Sequence, residues 1–204
     1  MPGRELRVLG ISGSLRRDSY NSRLLELASL HLPGTAEYRR YAGLKAVPPF
    51  DEDDEVPPYP AAVADLREQI RWADGLLVST PEYNASVPGQ LKNAVDWASR
   101  PVASAALRGK AVAVVGASTS AFGAVWAQAH LRAAFGAAGA RVIDRELAVA
   151  MADEQLATEG GLADPDLAAQ LGEVVDALVA ELRLESRLRA EREASATDPR
   201  VRAG

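Results

Sequence analysis

The sequence predicts an α/β fold, a three-layer sandwich around a five-stranded parallel sheet in the order 2-1-3-4-5. Three observations carry that expectation. The runs GLLVST (75–80) and AVAVVGA (111–117) are apolar throughout, as strands covered on both faces must be. Strand-like runs alternate with stretches of helical periodicity, and a chain that returns to the same sheet through a crossover pairs in parallel. Five such units fit between residues 6 and 184, the size of a doubly wound sheet whose ligand lies beyond the carboxyl ends of its strands, at the switch in winding direction.

Each element has its own signal. Leu6 to Ile11 reads as the first strand. The first helix starts at Ser19 or Asn21 and runs to about Leu32, with Leu24, Leu25, Leu27, Ala28 and Leu32 at helical spacing before Pro33-Gly34 stops it. Glu37 to Tyr41 is a short second strand, followed by an irregular proline- and acid-rich stretch, AGLKAVPPFDEDDEVPPYP. Ala61 to Ala73 is a helix with Val63, Leu66 and Ile70 on one side. Strand three is 75–80, and Gly89 to Ala98 is the helix after it. Strand four is 111–117, and Ala124 to Ala138 is the next helix. Ala140 to Ile143 opens strand five, with Glu146 to Val149 as its continuation, and Pro165 to about Leu184 is the last helix. Residues 1–184 thus read as one domain. The segment 185–204 is charged, loses its apolar periodicity, and is expected to be a disordered tail.

Composition narrows the function. Apolar residues make up 48% of the 204, enough for a packed core. The chain has no cysteine, so thiolate catalysis, disulfides and cysteine-bound metals are excluded, and a reducing, cytoplasmic location is expected. A net charge of -5 disfavours nucleic acid as a partner. No run of about 18 apolar residues is present, so no membrane span is expected.

The chemistry gathers in the loops after strands one, three and four. GSLRRDSYN (13–21) places Ser14, Arg16, Ser19 and Asn21 at a strand-to-helix turn. Hydroxyls, an amide, a guanidinium and the N-terminal end of a helix suit a phosphate, and Gly13 permits a tight turn. Neither GxGxxG nor a P-loop is present, which argues against a dinucleotide fold or a nucleotide triphosphatase. The second loop, in STPEYNASVPGQLKNAVDW, presents Pro81, Glu82, Tyr83 and Asn84, a stiff segment able to hold a flat heteroaromatic ring, or else a structured turn with Asn84 left-handed. The third contributes Ser118, Thr119 and Ser120, with Gly123 permitting close approach.

Together, GSLRRDSYN at 13–21, TPEYNASVPGQLKNAVDW at 80–97 and GAS…FG…AHLR at 116–132 resemble the NADPH-dependent FMN reductase family, which has a flavodoxin-like fold and includes bacterial quinone, chromate and azo-dye reductases. The resemblance implies non-covalent FMN, with the Ser14, Leu15, Arg16, Ser19, Tyr20 and Asn21 segment at its phosphate, Pro81, Glu82, Tyr83 and Asn84 along its ring, and Ser118 approaching from the third loop. It implies NADPH or NADH as donor, a small-molecule acceptor reached by a ping-pong cycle, no catalytic side chain beyond the flavin, and a homodimer or homotetramer. The third loop departs from the pattern: Ser120, Ala124 and Trp126 stand where the family often has a glycine-rich stretch followed by arginine, and a tryptophan does not replace an arginine's ion pair. Two other readings share this fold and cofactor, a flavodoxin-type electron carrier and a non-redox flavin-sensing regulator.

Other candidates are discounted. His31 and His130 lack local ligand partners, the acidic run at 51–55 lacks calcium-loop spacing, and Trp97 reads as core or interface. Asp96 and Glu82 have nothing in the sequence to bring them together.

Overall fold

The computed structural model describes residues 5–157 and 160–197. Its strands are β1 (Arg7–Ser12), β2 (Glu37–Arg40), β3 (Gly75–Thr80), β4 (Ala111–Ala117), β5 (Arg141–Val142) and β6 (Ala148–Val149). Its α-helices are α1 (Tyr20–Ser29), α2 (Ala61–Trp72), α3 (Gly89–Ala98), α4 (Val125–Ala137), α5 (Ala152–Gln155) and α6 (Pro165–Thr197). The order is β2-β1-β3-β4-β5, all parallel, as the alternation of elements predicts.

The sheet separates two apolar clusters. On one side Leu9, Ile11, Leu76, Val78, Val112 and Val114 pack against α2, α3 and α4 through Leu66, Ile70, Leu91, Trp97, Leu131 and Phe135. On the other, Val8, Leu77, Ala113 and Val115 pack against α1 and α6 through Leu24, Leu25, Val174, Val175 and Leu178. Alternate residues of one strand face opposite layers, and all of β3 and β4 is buried. Each buried Leu or Val contributes roughly 1.5–3 kcal/mol relative to exposure, so the three layers cohere without any ligand. Trp97 is fully buried in the first cluster, a core residue.

Two elements depart from the sequence expectation. The fifth strand is interrupted: β5 pairs with Ala111 and Val112, the chain bulges outward at 144–146, and β6 re-pairs with Gly116 and Ala117. Arg132 of α4 occupies the bulge, donating to the carbonyls of Ile143 (2.8 Å) and Arg145 (3.0 Å). The second departure is α6, which does not stop at Leu184 but runs through Thr197. The expected fraying from residue 185 is therefore corrected for 185–197, while 198–204 lies outside the described residues. The physical reason is that loss of apolar periodicity reports loss of packing, not of helicity. The segment is rich in Arg, Glu and Ala, all strong helix formers. Arg141 also ties the helix down through Glu181 (3.1 Å) and Glu185 (2.6 Å).

Candidate functional site

The register sets the site. Ser12 lies beside Ser79, and Thr80 beside Gly116, so β1, β3 and β4 end together and their loops leave the sheet at one edge. This is the switch point, since β1 neighbours both β2 and β3.

The first loop wraps the N-terminus of α1. Gly13 donates its N–H to the Ser79 carbonyl at 2.8 Å. A Cβ at Gly13 would lie 2.6 Å from Leu91 Cδ2 and 3.3 Å from Pro81 Cδ, so glycine lets the loop pass between α3 and the second loop. Ser19 is the N-cap, its hydroxyl accepting from the Ser22 N–H at 3.3 Å. Ser14 is half-buried and its hydroxyl accepts from the Arg16 N–H at 3.4 Å. Arg16 is exposed, donates to the Asp18 carbonyl at 2.6 Å, and lies 5.5 Å from the Tyr20 ring centroid. It has no carboxylate partner among the described residues, and a guanidinium carries five N–H donors. Leu15 beside it is 46% exposed.

The second loop is a tight turn. Tyr83 and Ser86 exchange both backbone hydrogen bonds at 3.1 Å, and Asn84 (φ 52°) and Ala85 (φ 54°) are both left-handed, as a two-residue hairpin turn of this hand requires. The left-handed Asn84 weighed from the sequence is thus found. Pro81 is buried, and Tyr83 is 53% exposed at the tip. Glu82 is half-buried. Its carboxylate accepts from the backbone N–H groups of Trp126 and Ala127, both at 3.0 Å. The residue preceding α4, Ala124, is left-handed (φ 67°) and has no capping side chain, so Glu82 supplies the missing cap from another loop, an anion at the positive end of the helix. Asp96 pairs instead with Lys92 at 2.6 Å, so the two carboxylates serve different partners.

In the third loop, Ser118 and Ser120 hydrogen-bond each other through their hydroxyls at 3.1 Å. Phe122 and Trp126 follow, 58% and 43% exposed, with ring centroids 4.8 Å apart. Tyr83, Phe122 and Trp126 thus give the edge exposed aromatic surface, on two loops linked by Glu82.

Asn21 lies inside the fold. It is 3% exposed; its Nδ2 donates to the Ala117 carbonyl at 2.9 Å, and its Oδ1 accepts from the Ala117 N–H at 3.0 Å and the Ser79 hydroxyl at 2.8 Å. Its side chain meets the ends of β3 and β4. A sequence signal existed: Asn21, Leu24, Leu25 and Ala28 fall on one helical face, all buried, so a polar residue there needs an internal partner. For Glu82 no comparable signal exists, because the cap it makes is to a helix 44 residues away.

Comparison with known proteins agrees with this architecture. The sequence profile of the NADPH-dependent FMN reductase family matches residues 6–154. An NAD(P)H-dependent FMN reductase of Pseudomonas aeruginosa is 50% identical over 129 residues, 63% of this chain and 68% of that protein. A 2-hydroxy-1,4-benzoquinone reductase of a Burkholderia species is 40% identical over 127 residues, 62% of this chain and 68% of that protein. Among solved structures, the flavoenzyme NAD(P)H:(acceptor) oxidoreductase FerB of Paracoccus denitrificans superposes with a TM-score of 0.75 at 32% identity, covering 87% of this chain and 97% of that one.

Proposed function

Because this chain belongs to the NADPH-dependent FMN reductase family, we propose that it is an NAD(P)H-dependent quinone reductase in which FMN, bound across the three edge loops of a single domain spanning 1–184, passes reducing equivalents by a ping-pong cycle. The observation that carries the reading is the convergence of those loops: an N-capped helix start with an arginine that meets no carboxylate among the described residues, beside a rigid hairpin tip.

The residues fit the cofactor. Ser14, Arg16 and the α1 N-terminus capped by Ser19 offer hydroxyl, guanidinium and backbone N–H donors to a dianionic phosphate. Leu15 and Tyr20 flank that segment. Pro81, Tyr83 and Asn84 offer a stiff edge for the ring, with Ser118 approaching from the third loop. The chemistry FMN supplies when bound is two-electron transfer, from a nicotinamide in one half-reaction and to an acceptor in the next, on one face used in turn. Glu82 and Asn21 keep the loops in place. The exposed rings of Tyr83, Phe122 and Trp126 offer stacking surface to flat apolar acceptors. That surface, together with the name of the Burkholderia relative, favours quinones as the acceptor; free flavin, chromate and azo compounds are the other classes this reading admits. The reading further takes the assembly to be a homodimer or homotetramer, which would cover part of this aromatic surface, and the location to be cytoplasmic, where NAD(P)H is available.

The test is spectroscopic. The purified protein, supplied with FMN, should show a flavin spectrum that bleaches on anaerobic addition of NADPH or NADH and returns on addition of a quinone. A bound flavin that neither nicotinamide bleaches would overturn the reductase reading and favour an electron carrier or a flavin sensor. Failure to retain FMN would overturn the assignment of the loops themselves.

A further inference from the structure

We propose that Asn21 is a positioning residue, its side-chain amide replacing a peptide group missing from the sheet and thereby holding the three cofactor loops in register, rather than a ligand of the phosphate. The inference rests on the reading of those loops as the flavin site.

The gap it fills is built into the chain. The β3–β4 ladder ends at Thr80 and Gly116. β3 stops before Pro81, so the ladder offers no strand residue opposite Ala117. On its far side β4 is served by β6: Gly116 donates to the Leu147 carbonyl at 2.9 Å and Ser118 to the Val149 carbonyl at 3.0 Å. Peptide groups of a strand face alternate neighbours, so Ala117 between them turns its N–H and C=O the other way, toward the β3 side where the ladder has stopped. An unpaired buried backbone donor and acceptor would each be costly.

Asn21 meets both. A carboxamide has the same donor and acceptor pair as a peptide, and here it donates to the Ala117 C=O and accepts from the Ala117 N–H, as an adjacent strand would. Because Ala117 offers one of each, only one orientation of the amide satisfies the pair. The second lone pair of Oδ1 takes the Ser79 hydroxyl, itself fully buried. Ser79 also accepts the Gly13 N–H through its carbonyl. One side chain on the first turn of α1 therefore reaches the base of the first loop, the end of β3 before the second, and the end of β4 before the third. At 3% exposure it has almost no surface left to offer an external anion.

The two roles separate when FMN is compared with riboflavin, which lacks the phosphate. Asn21→Ala removes all three bonds and, unlike an aspartate, adds no charge beside the 13–21 loop. On flavin-free protein, with folding verified by circular dichroism at the assay temperature, FMN and riboflavin should both bind on the order of tenfold more weakly, by the same factor. Loss of FMN affinity with riboflavin unchanged would overturn the proposal and return Asn21 to the phosphate. Unchanged affinity for both flavins in a folded variant would also overturn it, leaving Asn21 as a core hydrogen bond with no hold on the loops. Should Asn21→Ala not fold, Ser79→Ala, which removes one of the three bonds, serves the same comparison with a smaller, equal loss expected for the two flavins. A wild-type chain that takes up neither flavin would overturn the assignment of the site and this inference with it, an outcome distinct from the other two.

Discussion

Two residues in this edge that look like ligands in the sequence behave differently from each other in the fold. Arg16 is solvated, held by one backbone carbonyl, and free to meet an anion. Arg16→Ala should therefore leave stability within about 0.5 kcal/mol of wild type and weaken FMN on the order of tenfold more than riboflavin, read by fluorescence titration of both flavins. Glu82 is engaged by two backbone donors of α4. Glu82→Ala should cost about 1–2 kcal/mol, the size of a lost helix cap, measured by urea unfolding of the flavin-free protein. The helix start at Ser19 and the tight turn at Gly13 were legible because both are local events, decided within a few residues. The partners of Glu82 and Asn21 were not, because a carboxylate or an amide carries no sign of which distant backbone group it will meet.

Among the elements, the strands with unbroken apolar runs were plain from the sequence, and so was their order, since each crossover returns the chain to a sheet buried on both faces. The weak edge was harder. Pairing at β5 and β6 amounts to two residues each, and what holds β6 in place is the third loop pressed against it. A Cβ at Gly123 would sit 2.7 Å from the backbone carbonyl carbon of Ala148 and the nitrogen of Ala150, at a φ of +58°. None of those atoms is the end of a flexible side chain, so the strand itself must shift. Gly123→Ala should cost about 2–4 kcal/mol from crowding and the left-handed backbone together, and hydrogen exchange should rise at Ser118 and Gly116, whose N–H groups are bonded to this edge. The end of α6 was misjudged because helix propensity and charge pairing with Arg141 persist after the apolar stripe has ended.

For the molecule as a whole, stability should fall in alkali, and Tyr38 is one identifiable cause. Its ring lies over Gly10, where a Cβ would approach the hydroxyl to 2.2 Å, and that hydroxyl is buried with no partner among the described residues. Burial first, then the neighbouring Glu26 carboxylate, raise its pKa well above the ordinary 10.0, against a smaller opposing effect of Arg40. The folded chain thus holds the neutral phenol more tightly than the unfolded chain does. That contribution is complete below about pH 10 and is lost as pH rises above it. Tyr38→Phe should match wild type to within about 1 kcal/mol at pH 7, on the stable side, because no hydrogen bond is broken; above pH 10 it should decline less steeply, as followed by thermal unfolding across the range.

The bond between Asn21 and Ala117 spans 96 residues of chain. During synthesis from the N-terminus, the phosphate loop leaves the ribosome while the strand that fixes it has yet to be made. A nascent chain ending before Ala117 carries the whole GSLRRDSYN segment, yet nothing pins its first helix to the sheet's fourth strand. If these loops hold the flavin as proposed, its capture should be a late event of biogenesis, following assembly of most of the sheet instead of seeding it, and fragments released early in translation should not sequester the cofactor.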